Sequence, residues 1–438
     1  MAEEHDVSPA QPREQQGGSE LKQAHQSVPD VGQERPATVL LSYASEDAAS
    51  VRELQLRLKA RGMRSWRDVD DLLPGGLFES QIVQAIEREV DAMALYITPN
   101  SLKSNFIWKV EIPATLRRHS SNPHFHLVPI LQGVTFEQVR QMCINRNLDD
   151  LTRFEAISLT EGVSSSTWEE QNKRWNDAAR RILRAALVLR LRRMNADRRY
   201  EPCLCLKTFF FEPSTASLDL DLNWFPLIPE KERVSTPQEW EHILFPALLD
   251  VKQLLSEKIA SRRIHIFVQS ILPAALALGF VFRESTGFTL LLEGQKEIWS
   301  TDVPSSEEEP LHLDWNYHEQ GDARIAVVEV ATSRSIKPAV DDALHVAGLT
   351  PAYRVGLELP VLSHDSVKDA AHAQAIARQV GRICQGLYDR QRVAQIHLFV
   401  AVPAELAVLI GHQLNALCPI TLYEFSKQGA YVEFGTIR

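Results

Sequence analysis

A segment that occurs twice constrains the fold of this chain more than any other feature of its sequence. IHIFVQSILPAALALG, residues 264–279, returns as IHLFVAVPAELAVLIG at residues 396–411, with a glycine at the same place in each copy. The match continues in register, because residues 288–290 correspond to residues 420–422. Each copy begins like an apolar strand and continues like an apolar helix. The repeat predicts two equivalent halves related by a pseudo-twofold axis.

The stretches before each copy complete the two predicted halves. Amphipathic helix signals lie near residues 246–259 and 371–387, and strand signals precede them at 218–223 and 324–331. Each half is therefore expected to run strand, helix, strand, helix, strand. Open sheets of this kind bind ligands beyond the carboxyl ends of their strands, so we expect a site where the strand ends of both halves converge.

The region before the repeat alternates between strand and helix signals from residue 37 to residue 131. Strands are predicted at 37–43, 63–67, 92–98 and 125–131, and the helices between them carry apolar residues at helical spacing. A turn-rich loop, DVDDLLPGG, occupies residues 68–76. This alternation predicts a parallel sheet with helices on both faces.

Composition and spacing place the domain borders. Residues 1–35 are rich in Gln, Glu, Ser, Pro and Gly, which predicts a disordered tail. Ser166 with Glu169 forms a capping-box signature that starts a long helix, and eight arginines fall between residues 180 and 199. We predict a first domain with a C-terminal linking helix over 36–195 and a second over 200–438, whose halves cover about 200–310 and 311–438. The basic run is either a solvated helix face or a surface for nucleic acid or a neighbouring subunit.

The charge and the cysteines exclude several classes of protein. A formal net charge of -10 argues against DNA or anionic membranes as partners. The five cysteines show no disulfide or zinc spacing, and polar residues interrupt the apolar stretch 264–282, so we expect a cytoplasmic protein without a membrane span. His119, His124 and His126 lack a carboxylate or cysteine at ligand spacing, so no metal site is predicted.

Three motifs in the first domain occur in an order that resembles the TIR family: LLSYASED at 40–47, SWRDVDDLLPGGLF at 65–78 and SLKSNFIWKVEIPATL at 101–116. The resemblance implies a flavodoxin-like parallel sheet, and in members that cleave NAD+ it implies a catalytic glutamate, which is Glu111 here. It also implies that two TIR domains side by side complete the site.

The NAD+ cleft is expected between two loops. Ser42 and Tyr43 stand in the loop after the first strand, and Asp68 and Asp70 stand in the loop that the family calls BB. Trp108 lies three residues before Glu111, which allows either a stacking wall or ordinary core packing.

A single carboxylate suits NAD+ cleavage, because nicotinamide leaves as a neutral molecule and needs no general acid. The ribosyl cation does need stabilisation, which a fixed carboxylate provides better than water. The alternative for Glu111 is a solvated helix residue or a structural ion pair. NAD+ is a substrate in this reading, and no cofactor is predicted.

The repeat from about residue 201 to 438 resembles the SAVED domain, which is built from two fused CARF-like halves. The resemblance implies binding of a cyclic tri- or tetranucleotide. Candidate contacts lie in predicted strand-end loops, where hydroxyls, amides and cations can hold phosphates and bases: Thr332, Ser333, Arg334 and Lys337, with Trp224, Gln269, Ser270 and Pro403. Plain turn chemistry explains each of them equally well. His265 and His397 begin equivalent strands and are interpreted as structural.

The two resemblances together imply a nicotinamide-releasing NAD+ hydrolase of bacterial anti-phage defence. A cyclic oligonucleotide would activate it by joining chains into a filament or higher oligomer, and the product, ADP-ribose or its cyclic form, stays open. One alternative is a non-enzymatic TIR scaffold or adaptor under the same sensor. Another is a sensor of linear or duplex nucleic acid that uses the arginine-rich helix.

Overall fold

The computed structural model of the protein describes residues 36–66, 78–122, 124–159, 167–197, 200–209, 218–228, 234–294, 297–304, 309–415 and 417–438, with Arg193 described by its backbone alone. The predicted tail and the BB loop, including Asp68 and Asp70, lie outside these ranges. The architecture is α/β, with one parallel sheet of five strands and two further mixed sheets.

The parallel sheet forms the first domain. Its strands are β1 (Thr38–Ser42), β2 (Arg64–Trp66), β3 (Ala92–Ile97), β4 (His126–Leu131) and β5 (Ile157–Ser158). They stand in the order β2-β1-β3-β4-β5, and every neighbouring pair is parallel. This order confirms the predicted flavodoxin-like sheet, because the strand order reverses between β1 and β3 as it does in doubly wound folds.

Among the described residues, five helices cover this sheet. They are α1 (Ala48–Ala60), α2 (Phe78–Gln84), α3 (Ile112–Ser121), α4 (Phe136–Asn145) and α5 (Trp168–Ala196), and α2 and α3 adjoin π-helical turns at Ala85–Glu89 and Ile107–Glu111. Alternate residues of β1 point to opposite faces, so Val39 packs in the core that includes α1 and α5, whereas Leu40 packs in the core that includes α2 and α3.

The predicted linking helix is the last helix of this layer. Thr167 caps it, since its hydroxyl accepts a hydrogen bond from the amide of Glu170 at 3.3 Å, and the predicted cap Ser166 lies outside the described residues. Several of its arginines pair with acids of the same chain. Arg184 pairs with Glu257, and Arg181 lies 3.2 Å from Glu155. These pairs favour the interpretation of the basic run as a solvated helix face.

The first half of the second domain has a five-stranded sheet in the order β10-β9-β8-β6-β7. Its strands are β6 (Cys203–Lys207), β7 (Leu220–Asn223), β8 (Arg263–Gln269), β9 (Thr289–Glu293) and β10 (Ile298–Ser300). Its helices are α6 (Phe245–Lys258), which follows a short turn at Pro237–Glu239 and a π-helical turn at Trp240–Leu244, and α7 (Leu272–Val281).

The second half has a six-stranded sheet in the order β11-β13-β12-β14-β15-β16. Its strands are β11 (His312–Tyr317), β12 (Asp322–Ala331), β13 (Pro351–Glu358), β14 (Gln395–Ala401), β15 (Ile420–Phe425) and β16 (Tyr431–Ile437). Its helices are α8 (Lys337–Ala347), α9 (Ala370–Asp389) and α10 (Ala404–Gln413).

The repeated glycines lie where the two halves meet. A Cβ on Gly279 would stand 2.0 Å from the carbonyl oxygen of Val408, and a Cβ on Gly411 would stand 2.1 Å from that of Leu276. The contact is reciprocal, because each glycine of one helix faces the residue three positions before the glycine of the other. Helices α7 and α10 therefore cross at the pseudo-twofold axis that the repeat predicts.

The strand pairing corrects one predicted equivalence between the halves. Residues 218–223 were expected to match 324–331, but the strand beside β8 is β6, as β12 is the strand beside β14. The amide of Thr208 donates to the carbonyl of Gln269 at 3.1 Å, and the amide of Thr332 donates to Ala401 at 3.0 Å. Thr208, and not the segment at 223–225, is thus the counterpart of Thr332.

One hydrophobic core joins the two domains. It includes Val39 of β1, Ile182 of α5, Leu248 of α6 and Leu409 of α10. Polar contacts reinforce it at the end of α1, where Arg61 is fully buried and its guanidinium lies 2.7 Å from the carboxylate of Asp250. A large apolar interface of this kind holds two domains in one orientation.

Candidate functional site

Glu111 lies at the carboxyl edge of the parallel sheet and is 7% exposed. The hydroxyl of Ser42, the last residue of β1, donates a hydrogen bond of 2.6 Å to its Oε2 atom. Ser42 is itself buried, so the pair is fixed inside the protein. The order of the strands reverses beside β1, and ligands of doubly wound sheets bind at such a reversal. Two predicted site residues are therefore brought together at the place where the topology favours a ligand.

A wide turn of helix sets the position of Glu111. The amide of Ile112 donates to the carbonyl of Ile107, five residues earlier, so residues 107–111 form a π-helical turn. Pro113 follows directly and has no amide hydrogen to continue an α-helical ladder. Such turns occur frequently at functional sites. The Ile-Pro pair after Glu111 is the sequence signal that could have predicted this irregularity.

A hydrogen-bond network ties the neighbouring loops together. Thr98 follows β3, and its hydroxyl donates to Asp47 at 2.5 Å, while the side-chain amide of Asn100 donates to the same carboxylate at 2.9 Å. The hydroxyl of Ser101 donates to the carbonyl of Thr98 at 3.0 Å. The loop after β1 and the loop after β3 are thus held to each other beside Glu111. Sequence reasoning missed these residues, because no motif marks a structural network of this kind.

Trp108 anchors the helix start and does not present its ring to solvent. It is 2% exposed, and its indole nitrogen donates to the carbonyl of Ser101 at 2.9 Å. A cleft of about 630 Å³ touches it together with Lys109, Met142 and Arg146, but Glu111 is not among the lining residues. Of the two interpretations given to Trp108, core packing is the one that this burial favours.

The other expected contacts to NAD+ are partly described. Tyr43 is half-buried and packs against the core on the α1 face of the sheet. Asp68 and Asp70 lie outside the described residues.

The predicted strand-end loop after β12 lies at the carboxyl edge of the second half. The hydroxyl of Ser333 donates to the carbonyl of Ala401 at 2.9 Å, which brings this loop to the turn after β14 that contains Pro403. Thr332 is fully buried, and the hydroxyl of Ser366 donates to its carbonyl at 2.6 Å. Five of the predicted ligand contacts, Thr332, Ser333, Arg334, Lys337 and Pro403, therefore share one edge of one sheet.

Two cations of this loop are exposed. The guanidinium of Arg334 lies 4.0 Å from the centre of the Phe425 ring, which is a cation–π contact. The Lys337 ammonium lies 3.2 Å from the carboxylate of Asp314. Both are surface contacts of the kind that a phosphate can replace at small cost.

The two halves differ at the buried threonine hydroxyls. In the first half the hydroxyl of Thr208 accepts a hydrogen bond of 2.9 Å from the amide of Ile271. Pro403 stands 132 positions after Ile271 in the repeat and has no amide hydrogen. Among the described residues, the buried hydroxyl of Thr332 has no hydrogen-bond partner. The second half thus keeps a free polar group at its strand end where the first half has a satisfied one.

The remaining contacts belong to the first half. Gln269 is exposed at the end of β8, and the neighbouring Ser270 is buried, with its hydroxyl 3.2 Å from the carbonyl of Ile271. The expectation for Trp224 is wrong in this arrangement, because its ring is fully buried and cannot stack on a base. Its indole nitrogen donates to the carbonyl of Ala60 at 3.0 Å and so caps α1 of the first domain.

His265 and His397, which were interpreted as structural, lie in different surroundings. His265 lies between two acids, with Nε2 2.7 Å from Glu201 and Nδ1 3.2 Å from Glu293. Its counterpart His397 is buried, and burial lowers its pKa to about 4. Within the described ranges no group of three or more ligating side chains could hold a metal ion, and no helix is long and apolar enough to cross a bilayer.

Comparison with known proteins gives the same two domains. Residues 39–183 match the family model of the TIR domain. Residues 248–437 match that of SAVED, the SMODS-associated and fused to various effectors sensor domain. The chain therefore contains a TIR domain followed by a SAVED domain, as its motifs and its repeat predicted.

Two curated relatives carry the name CD-NTase-associated protein 4. The one from an Acinetobacter species is 22% identical over 215 residues, which are 49% of this chain and 44% of the relative. The one from Moraxella osloensis is 21% identical over 208 residues, 48% of this chain and 43% of the relative. The chain thus spans less than half the length of either.

The solved structures that match this chain include SAVED/CARF-domain containing receptors. The Acinetobacter baumannii Cap4 receptor with the cyclic trinucleotide 3'3'3'-cAAA is 16% identical with a TM-score of 0.49, and the match covers 79% of this chain and 88% of that one. The Moraxella osloensis Cap4 receptor is 17% identical with a TM-score of 0.43, over 84% and 86% of the two chains.

Proposed function

We propose that this protein is an NAD+ glycohydrolase whose TIR domain is activated when its SAVED domain binds a cyclic tri- or tetranucleotide. The observation that carries the proposal is the buried hydrogen bond from Ser42 to Glu111 at the strand reversal of the TIR sheet. A solvated helix glutamate would be exposed, whereas Glu111 is 7% exposed. The position supports a carboxylate that is held ready for a substrate.

The proposed chemistry needs one carboxylate and one water molecule. The bond between C1' of the ribose and the nicotinamide nitrogen breaks, and both bonding electrons leave with neutral nicotinamide. The Glu111 carboxylate stabilises the ribosyl cation, and water attacks C1' and releases a proton to solvent. ADP-ribose and nicotinamide result. Attack by a hydroxyl or amine of the same molecule in place of water would give a cyclic product.

The ligand of the SAVED domain is proposed to bind at the carboxyl edge of the second half. Arg334 and Lys337 are both exposed and supply positive charge for phosphates there. Binding would bring chains together, so that one TIR domain contributes its BB loop to the cleft of the next. Loss of NAD+ would then halt the infected cell.

The test is an assay of nicotinamide release by the full chain. It is run with 3'3'3'-cAAA, 2'3'3'-cAAA and cyclic tetra-adenylate as probes, and without a probe. We expect cleavage with at least one probe, and a loss of about 100- to 1000-fold in kcat for Glu111→Gln, which keeps the size of the side chain. Glu137→Gln is the matched control, since Glu137 is an exposed acid of the same domain.

Each outcome separates the proposal from its alternatives. If a probe binds but NAD+ persists, the TIR domain acts as a scaffold, which should tolerate Glu111→Gln. If cleavage survives Glu111→Gln, the assigned carboxylate is wrong. A sensor of linear nucleic acid would instead bind single strands or duplexes with a steep loss of affinity on added salt.

A further inference from the structure

We propose that the edge strand β11 is a contact surface for a second copy of this chain, which adds its own β11 in antiparallel orientation. Within the described ranges β11 is the outer strand of the six-stranded sheet and pairs only with β13. Leu313, Trp315 and Tyr317 are 42%, 40% and 58% exposed, and they alternate along one face. An edge with large apolar side chains is a template for a further strand.

The hydrogen-bond phase of β11 fixes which backbone groups are free for a partner. Residues 312–317 of β11 face residues 358–353 of β13, and His318 continues this register by donating to the carbonyl of Ala352 at 2.8 Å. In an antiparallel pair, residues alternate between bonding the partner and pointing outward. His318 bonds inward, so the even-numbered residues bond β13. The amides and carbonyls of Leu313, Trp315 and Tyr317 therefore point outward.

The free backbone groups and the exposed side chains belong to the same three residues, which restricts the pairing of two copies. An outward residue must face an outward residue, and among the registers that meet this condition, the one in which Trp315 faces Trp315 and Leu313 faces Tyr317 pairs all three of them. A shift by one residue would place outward groups against inward ones and form no hydrogen bonds. The register centred on Trp315 also places apolar side chains opposite apolar side chains, with a twofold axis through Trp315.

Charge agrees with this pairing. On the other face of β11, Asp314 of one copy faces Asn316 of the second, so no two acids stand directly opposite each other. A charged side chain on an edge strand opposes pairing with a further strand. Asp314 does so less, because its carboxylate already lies 3.2 Å from the ammonium of Lys337. The occupant that fits this surface is the chain itself, and the two six-stranded sheets would become one continuous sheet.

The experiment measures the mass of the full chain by sedimentation over a range of concentrations, with and without 3'3'3'-cAAA. We expect a monomer–dimer equilibrium in the wild-type chain, and a dissociation constant at least about tenfold weaker for Trp315→Lys. Val346→Lys is the matched control, because Val346 is 86% exposed on α8 and the change in charge is the same. That variant should dimerise like the wild type.

A second variant tests the backbone directly. Trp315→Pro removes only an outward amide, which an edge strand tolerates, and should also prevent dimerisation while the unfolding midpoint stays close to that of the wild type. The proposal is overturned by a wild-type chain that stays monomeric under all conditions, or by a Trp315→Lys chain that dimerises as well as Val346→Lys. Sedimentation without a probe tests the β11 surface alone, whereas nicotinamide release tests the proposed function, so the two proposals fail separately.

Discussion

At the scale of single residues, burial decides which polar groups are held in place for chemistry and which only maintain the fold. Glu111 and Ser42 were both predicted from motifs, and they meet across 69 positions of sequence. Trp224 was predicted from its place after a predicted strand and from its aromatic ring. A tryptophan serves equally well as a stacking surface and as a helix cap, so composition cannot separate these roles, whereas the hydrogen bond to Ala60 does.

His397 makes a prediction about acid stability. Its Nδ1 lies 2.7 Å from the Tyr423 hydroxyl, and burial lowers its pKa to about 4. In the unfolded chain, this residue takes up a proton below about pH 6.5. In the folded chain, it stays neutral down to about pH 4. The free energy of unfolding should therefore fall by up to about 1.4 kcal/mol per pH unit in this window through His397 alone.

The measurement is chemical denaturation at pH values between 4 and 7. His397→Gln should flatten the slope by close to one proton relative to the wild type. His345→Gln, a change at an exposed histidine of α8, should leave the slope as it is. Equal slopes in the wild type and His397→Gln would refute the assignment.

At the scale of helices and strands, the repeat predicted the crossing of α7 and α10 better than it predicted the strands around it. The helix match rests on a glycine in each copy, whose missing side chain lets the two helix backbones approach closely. The repeated glycine is therefore visible in the sequence. Strand pairing leaves no such record. Residues 218–223 and 203–207 both have strand character, and only the hydrogen bonds reveal that β6 is the strand beside β8.

Gly279→Ala and Gly411→Ala should each destabilise the SAVED domain. The added methyl group would stand about 2 Å from a backbone carbonyl, and α7 and α10 would have to separate. We expect a loss of about 1–3 kcal/mol or more in the free energy of unfolding, as in overpacked cores.

Gly386→Ala is the matched control for these variants. Gly386 lies inside α9, and a Cβ there has no atom of another residue within 4 Å. Alanine should therefore stabilise the helix by about 0.5–1 kcal/mol. If Gly279→Ala were as stable as Gly386→Ala, the close crossing of the two helices would be wrong.

At the scale of the whole molecule, the TIR and SAVED domains share one core and one polar joint. Arg61 of the TIR domain is fully buried, and its guanidinium bonds Asp250 of α6 and the side chain of Asn176 of α5. Burial lowers the pKa of Arg61 from its ordinary value, and the nearby carboxylate opposes that shift. The order of domains was predictable from motifs, but this joint was not, because its residues are far apart in sequence and belong to no pattern.

Arg61→Met should cost about 3–5 kcal/mol of unfolding free energy, because it leaves the carboxylate of Asp250 without its partner. Scanning calorimetry should show one transition for the wild type and two for the variant, in which the domains unfold separately. Arg324→Met removes an exposed ion pair with Asp322 and should leave the stability close to that of the wild type. Equal effects of the two variants would contradict the role of the joint.

The reciprocal contact of Gly279 and Gly411 carries a consequence for the history of the chain. A single ancestral half could have met a copy of itself through the same glycine on both sides, and gene duplication followed by fusion would have joined two such copies. After fusion, each half can accumulate its own mutations. Ile271 and Pro403 are one such difference between the halves. Two identical subunits would instead present two identical surfaces to a ligand at this place.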